Sequence, residues 1–452
     1  MKADMTCLSY PLPEDILKRK WSGDLDGAAR IIRRRLEGQL PDALRQRLEV
    51  ELEALPILRA NYCIPEPEAI ALLTEKVRDF RPEELTQWRD DDWVDWMVID
   101  GRICYISSFY DNLLKTQPSI VARQLHPPVS TKRDSGEIRD EAIAFLEAHG
   151  EARSRLRLRA SIRLTRPEAG TPVRAWLPLP VVQDQITAVK LLATSQTPVH
   201  ISDERYPQRT VYFEGVAGQT DEFWIEYELE SRLPLFRPDP DKVSPVQPTF
   251  YTQEEAPHIL FTPYLKALTA QVVGDEKNPL RIARRIYDFV TTQVKYSYMR
   301  SYSVLPPIPD YCLSRMRGDC GVQALCFITM CRIAGVPAKW QSGLHADENG
   351  AGCHDWAMFY VAPYGWMYCD PSFGGGSYRA GAMHRWDHYF CNLDPHRVVL
   401  ASEFQMPYDP PMTYSRRDPY DNQDGEIEYA TRAISRAEQD RETTCLSVEV
   451  FA

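Results

Sequence analysis

The sequence predicts an α+β chain in three parts: an N-terminal helical region, a small antiparallel β-domain, and a unit in which helices precede antiparallel strands. Three observations carry this. Apolar residues recur at helical spacing up to about residue 150, strict alternation of apolar and charged residues begins near Ser154, and helical spacing returns after Pro257 before strand-like runs between Ala338 and Asp370. A length of 452 residues exceeds what one core supports, and 44% hydrophobic with 26% charged residues fits a globular protein.

The elements follow in order. In the first region, 1–150, Ala28, Ile31, Ile32 and Leu36 make one apolar stripe, and Pro41 opens a second helix carrying Leu44, Leu48, Leu52 and Leu55. Trp88, Trp93 and Trp96 read as core anchors. In 151–235, "RLRLRASIRLT" sets Leu156, Leu158, Ala160, Ile162 and Leu164 on one face of a half-buried strand, and four further strand-like runs follow at hairpin spacing. The segment 236–256 is rich in proline without periodicity and reads as a linker laid over the surface. In 257–405, Asn278 is placed to cap a helix that Pro279 opens. The remainder, 406–452, is polar and reads as a C-terminal arm.

Charge and composition narrow the function. A net charge of -11 argues against a general binder of nucleic acid or anionic membranes. No apolar leader or spanning segment is visible, so the expected location is cytoplasmic. The eleven cysteines form no CxxC pair and no disulfide framework. No structural metal and no cofactor is expected. A set of Cys312, Cys353, Cys369 and His354 fails as a tetrahedron because neighbours along a strand point to opposite faces.

One stretch, "RGDCGVQALCFITMCRIAGVPAKW", carries chemistry. Asp319 precedes an apolar helix as a capping residue would, with Val322, Leu325, Cys326, Thr329 and Ile333 as its stripe and Gly335 and Pro337 as its stop. Cys320 therefore falls in the first turn, where unpaired N–H groups and the helix dipole favour a thiolate; Cys326 and Cys331 lie deeper and read as core. His354 begins the strand "HDWAMFYV" and Asp370 ends the strand "GWMYCD". The turn at Pro363–Gly365 brings both to the open end of one hairpin, slightly offset. Cysteine, histidine and aspartate in this relation can form a thiolate–imidazolium pair that attacks a carbonyl and holds the acyl group as a thioester.

Four ordered blocks carry a family resemblance: Gly318–Asp319–Cys320; Arg332 with Gly335, Val336, Pro337 and Ala338; His354 with Trp356; and Gly365–Trp366 with Asp370, Pro371 and Ser372. Over residues 260 to 375 the chain resembles the transglutaminase-like superfamily of papain-like fold. The β-domain resembles the β-module often found ahead of bacterial members. The resemblance implies a papain-like core, Cys320 as nucleophile, His354 as base and acid, Asp370 as its orienter, and a peptide or protein substrate. Met358 stands where the family has an acidic residue. The backbone N–H of Cys320 supplies one oxyanion donor, and Tyr296, Tyr298 and Tyr302 are candidates for the second, against a packing role. Gly374–Gly376 and Arg379 are expected as a loop that covers the site and accepts a substrate carboxylate, or as a structural loop. The expected activity is cysteine-dependent amide hydrolysis, with amine transfer as the alternative and a non-catalytic interaction scaffold as the reading from another class.

Overall fold

The structure is a computed structural model that describes residues 5–127, 131–305, 307–414, 416 and 420–452. In the first region, helices Glu14–Trp21, Leu25–Leu36 and Asp42–Asn61 pack on one another, with Asp24 capping the second by accepting the Gly27 N–H at 2.8 Å. Ile16, Ala28, Ile32, Leu48, Leu55 and Leu58 bury together. Trp88 belongs to this core. Trp96 does not: it is 41% exposed, with the Arg89 guanidinium over its ring.

Helix α1 (Ser135–His149) leads into the β-domain. Its strands are β1 (Glu151–Leu164), β2 (Pro172–Pro178), β3 (Ile186–Thr194), β4 (His200–Ile201), β5 (Thr210–Val216) and β6 (Glu222–Pro234). The alternation in β1 is kept, with Leu156, Leu158, Ala160, Ile162 and Leu164 all buried.

The segment 406–452 is not the polar arm its composition implied. Residues near its middle lie partly outside the described set, but β12 (Glu426–Tyr429) and β13 (Gln439–Phe451) complete both sheets of the β-domain. The sheet orders are β12-β2-β5-β4 and β13-β1-β6-β3. Strand β13 runs antiparallel to β1 from Gln439 opposite Leu164 to Phe451 opposite Arg153. An edge strand faces water on one side, so its outward positions are polar, and its acids answer the arginines of β1: Asp440 lies 2.7 Å from Arg163. Alternating polarity was the signal of a strand rather than of a solvated tail.

The third unit contains α2 (Pro263–Val273), α3 (Pro279–Gln293), α4 (Ile308–Arg315), α5 (Cys320–Ile333), α6 (Pro371–Arg379) and α7 (Met383–His388). Asn278 caps α3 as expected, accepting from the Leu280 and Arg281 N–H groups. A five-stranded antiparallel sheet is built from β7 (Ala338–Asp347), β8 (Gly350–Val361), β9 (Gly365–Cys369), β10 (Phe390–Cys391) and β11 (Arg397–Ala401), in the order β10-β9-β8-β7-β11. One face carries α5, where Phe327 meets Phe359 edge-on at 5.8 Å. The other face shares the core of the β-domain through Trp356, Met358, Val398 and Leu400. Covered on all sides, α5 buries every residue from Gly321 to Arg332, a wider surface than the single stripe the sequence implied. The linker is laid over this unit: Ser244 N–H donates to Ala362 O at 2.9 Å, and Ala338 N–H to Tyr251 O at 3.1 Å.

Candidate active site

Cys320 opens α5. Asp319 caps the helix with extended backbone, its Oδ1 accepting the Val322 N–H at 3.1 Å and the Tyr302 hydroxyl as well. Gly321 is required beside it, because a Cβ there would stand 2.5 Å from Tyr302 Oη and 2.7 Å from Asp355 Oδ2. This is the helix start that the spacing of Asp319 and Cys320 predicted.

His354 and Asp370 are brought together. The His354 Nε2 lies 2.7 Å from Asp370 Oδ2, so Nε2 carries the proton to the carboxylate and Nδ1 is left as the acceptor. The hairpin register pairs Ala357 with Cys369, which runs Asp370 two residues short of facing His354. The chain closes that gap by turning into α6, where Asp370 is the N-cap and accepts the Phe373 N–H at 2.9 Å. Phe373 then stacks on the His354 ring, with centroids 4.1 Å apart.

Arg397, which no sequence pattern singled out, anchors the pair. Its Nη1 is 2.8 Å from Asp370 Oδ2 and its Nη2 is 2.7 Å from Asp394 Oδ2. Burial alone would push the Asp370 carboxyl up, but His354 and Arg397 outweigh it and hold the group at about 2. Burial pulls the His354 imidazole below its ordinary value, and the attraction of Asp370 offsets only part of that.

The thiol has a different neighbour. Cys320 Sγ donates to Asp355 Oδ2 at 3.4 Å, and among the described residues no hydrogen bond joins it to His354. Strand alternation is the reason. His354 shares a face of β8 with Trp356 and Met358, which look into the β-domain core, whereas Asp355 shares the face of Ala357 and Phe359, which pack on α5. Residues 420–425 close over this point, with Gln423 Nε2 donating to Asp355 Oδ1 at 2.6 Å and to His354 O at 3.1 Å. Burial pushes the Cys320 thiol well up, and the Asp355 and Asp319 carboxylates push further. Burial, then Asp421 and Asp319, likewise hold the Asp355 carboxyl well above its usual range. In this arrangement the thiol is neutral, against the thiolate that the helix terminus alone would favour. Asp355, Asp421 and Gln423 were missed from sequence; alternation along β8 was the one signal, and it singles out only Asp355.

Of the three tyrosines, Tyr302 donates to Asp319, the residue before Cys320, and Tyr296 also lies near enough to Cys320 to feel its charge. Tyr296 and Tyr298 pack edge-on at 5.7 Å under the Lys115 ammonium. The expected loop at Gly374–Gly376 and Arg379 is instead helix α6. Gly374 is there because a Cβ would lie 2.0 Å from Tyr287 Oη. Arg379 is tied to the end of α3, donating to Val294 O at 3.1 Å, so it presents no guanidinium to a substrate carboxylate. Cys312 and Cys369 are core, and Cys353 is exposed at the cleft. Among the described residues, one group gathers three metal-binding side chains, His345, Asp394 and His396, with their donor atoms within 4.8 Å of one another.

A cysteine at the start of a buried helix, packed on an antiparallel sheet that bears a histidine–aspartate pair, defines a papain-like core. Residues 266–371 match the family described as the transglutaminase-like superfamily, and they form a domain of that superfamily in this chain. No curated protein matches the chain. Among solved structures, a candidate cysteine protease from Cytophaga hutchinsonii is 13% identical, covering 66% of this chain and 91% of its own, with a TM-score of 0.41. The periplasmic domain of TgpA from Pseudomonas aeruginosa is 16% identical, covering 53% and 93%, with a TM-score of 0.29. At these values neither bears on the chemistry. No described helix is long and apolar enough to cross a membrane.

Proposed function

We propose that this domain is a cysteine acyl-transfer enzyme. Cys320 attacks the carbonyl of a peptide or isopeptide amide, and the acyl group is held as a thioester that water then hydrolyses. His354 takes the thiol proton through Nδ1 and returns it to the leaving amine, and Asp370 fixes the imidazole through Nε2. The observation that carries this reading is the buried His354–Asp370 pair, anchored by Arg397, one residue along the strand from the residue that touches Cys320. In this reading the His354–Asp370 pair, with its Arg397 anchor, has to move as a unit towards Cys320 and displace Asp355 from the sulfur. In this reading, the arrangement with Asp355 on the sulfur is a resting one.

A second reading, a scaffold that binds without catalysis, is favoured by the contact that keeps the thiol neutral. One experiment separates the readings. The full chain is incubated with a peptide-amide library and a labelled primary amine, and products are read by mass spectrometry against Cys320→Ala. Cleaved peptides that disappear in the variant support hydrolysis, and amine-tagged peptides support transfer. No Cys320-dependent product would leave the scaffold.

A further inference from the structure

We propose that His345, Asp394 and His396 form a binding site for a divalent transition-metal ion, with zinc the ion that this donor set suits. The site is assembled by the sheet itself. His345 sits near the end of β7 opposite Arg397 of β11, and Ala346 N–H donates to His396 O at 2.9 Å, so the turn Asp394–His396 is held against His345. Asp394 Oδ1 lies 3.4 Å from His345 Nε2 and 3.8 Å from His396 Nδ1. Donors around a tetrahedral zinc with bonds of roughly 2.05 Å stand about 3.4 Å apart, close to the two edges to Asp394, and the whole trio, within 4.8 Å, would draw in around the ion.

The polar accounting points the same way. His345 Nε2 and His396 Nδ1 are both buried, and neither makes a well-formed hydrogen bond; each only faces the Asp394 carboxylate, at 3.4 and 3.8 Å. Leaving a buried polar nitrogen unpaired costs about 1–3 kcal/mol, and two such atoms aimed at one carboxylate oxygen are a poor arrangement unless something bridges them. The Asp394 carboxylate is held in place by other donors. Asp394 Oδ2 accepts from Arg397 and, at 2.9 Å, from the Tyr389 hydroxyl, while Oδ1 accepts the His396 N–H at 3.1 Å. Those contacts orient the carboxylate as the supporting shell of a metal ligand does. Asp347 Oδ2 lies 3.9 Å from His345 Nδ1, too far for a hydrogen bond, and adds a second negative charge beside the site. Two imidazole nitrogens and one carboxylate oxygen, with no sulfur, suit zinc, cobalt or nickel better than calcium or magnesium. An ion has a way in: His345, Asp347, His354 and Phe373 line an open cleft of about 530 Å³.

Asp394 shares Arg397 with Asp370, so the site adjoins the His354–Asp370 pair, but its test reads metal binding and does not depend on any turnover. The full chain, stripped with a chelator, is titrated with Co²⁺ and then Zn²⁺ by calorimetry and visible absorption. The expected result is one Co²⁺ per chain, a visible d–d band without a thiolate charge-transfer band, and displacement by Zn²⁺. Cys320→Ala and Cys353→Ser should bind as the wild type does. His345→Gln and His396→Gln should each weaken binding by roughly 100-fold or more with unchanged far-ultraviolet circular dichroism. If His396→Gln does not fold, His345→Gln, whose side chain is partly exposed, carries the test alone. Absence of binding, binding unchanged in the histidine variant, or a thiolate charge-transfer spectrum that a cysteine variant abolishes would each overturn the proposal.

Discussion

Replacing Asp355 with Asn tests whether a single carboxylate suppresses the thiol. The Asp355 Oδ2 lies 3.4 Å from Cys320 Sγ. At an effective dielectric of about 20, a full charge at that distance opposes a thiolate by at most roughly 5 kcal/mol. Asp355 carries only part of a charge, because burial and then Asp421 and Asp319 hold its own carboxyl up, and Asp319 remains in the variant. The thiol is then expected to come down, which raises alkylation of Cys320 near neutral pH by roughly 10-fold or more. Asn keeps the shape of Asp and can still meet Gln423. The assay is iodoacetamide labelling followed by peptide mapping, with the buried Cys326 and Cys331 as internal references. A labelling rate at Cys320 that does not change in the variant would refute the electrostatic account of its neutral thiol.

Acid should destabilise the chain through two further groups. Asp370 is held at about 2 against an ordinary 3.8, so it contributes about 2 kcal/mol that is complete above pH ~4 and is lost as pH falls towards ~2. Asp370→Asn should remove that step from a plot of the urea midpoint against pH. His258 is pushed down to about 3 by burial, its Nδ1 accepting the Ile308 N–H at 3.2 Å while Nε2 meets Tyr420 Oη at 2.7 Å. Because its neutral form is the folded one, its contribution is complete above pH ~6.5 and falls by on the order of 4 kcal/mol down to pH ~3. His258→Gln should flatten that slope. Deleting residues 439–452 should strip β1 of its partner strand, lower the melting temperature and raise light scattering on heating, since an unpaired edge of that length templates association.

Local patterns in the sequence were readable where one element decides the outcome. The cap at Asp319, the helix stop at Gly335 and Pro337, the alternation of β1 and the hairpin that joins His354 to Asp370 all depend on neighbours in the chain. What could not be read depends on packing between distant segments. Arg397 reaches Asp370 from the far edge of the sheet, and Gln423 arrives from a loop that leads into a strand of another domain. The same limit explains Asp355. Parity along β8 could be counted from sequence, but which face meets α5 is set by Phe327 against Phe359, a contact across 32 residues. The glycines of α6 read as a loop because glycine disfavours helices, yet close packing on Tyr287 admits nothing larger than glycine at Gly374.

The most direct test of the central claim is acylation by an activated peptide ester, followed by rapid quenching and peptide mapping. The account predicts one acyl adduct, on Cys320, that forms and decays in the wild type and forms far more slowly in His354→Ala. An acyl group spread over several cysteines, or a rate at Cys320 indifferent to His354, would contradict it.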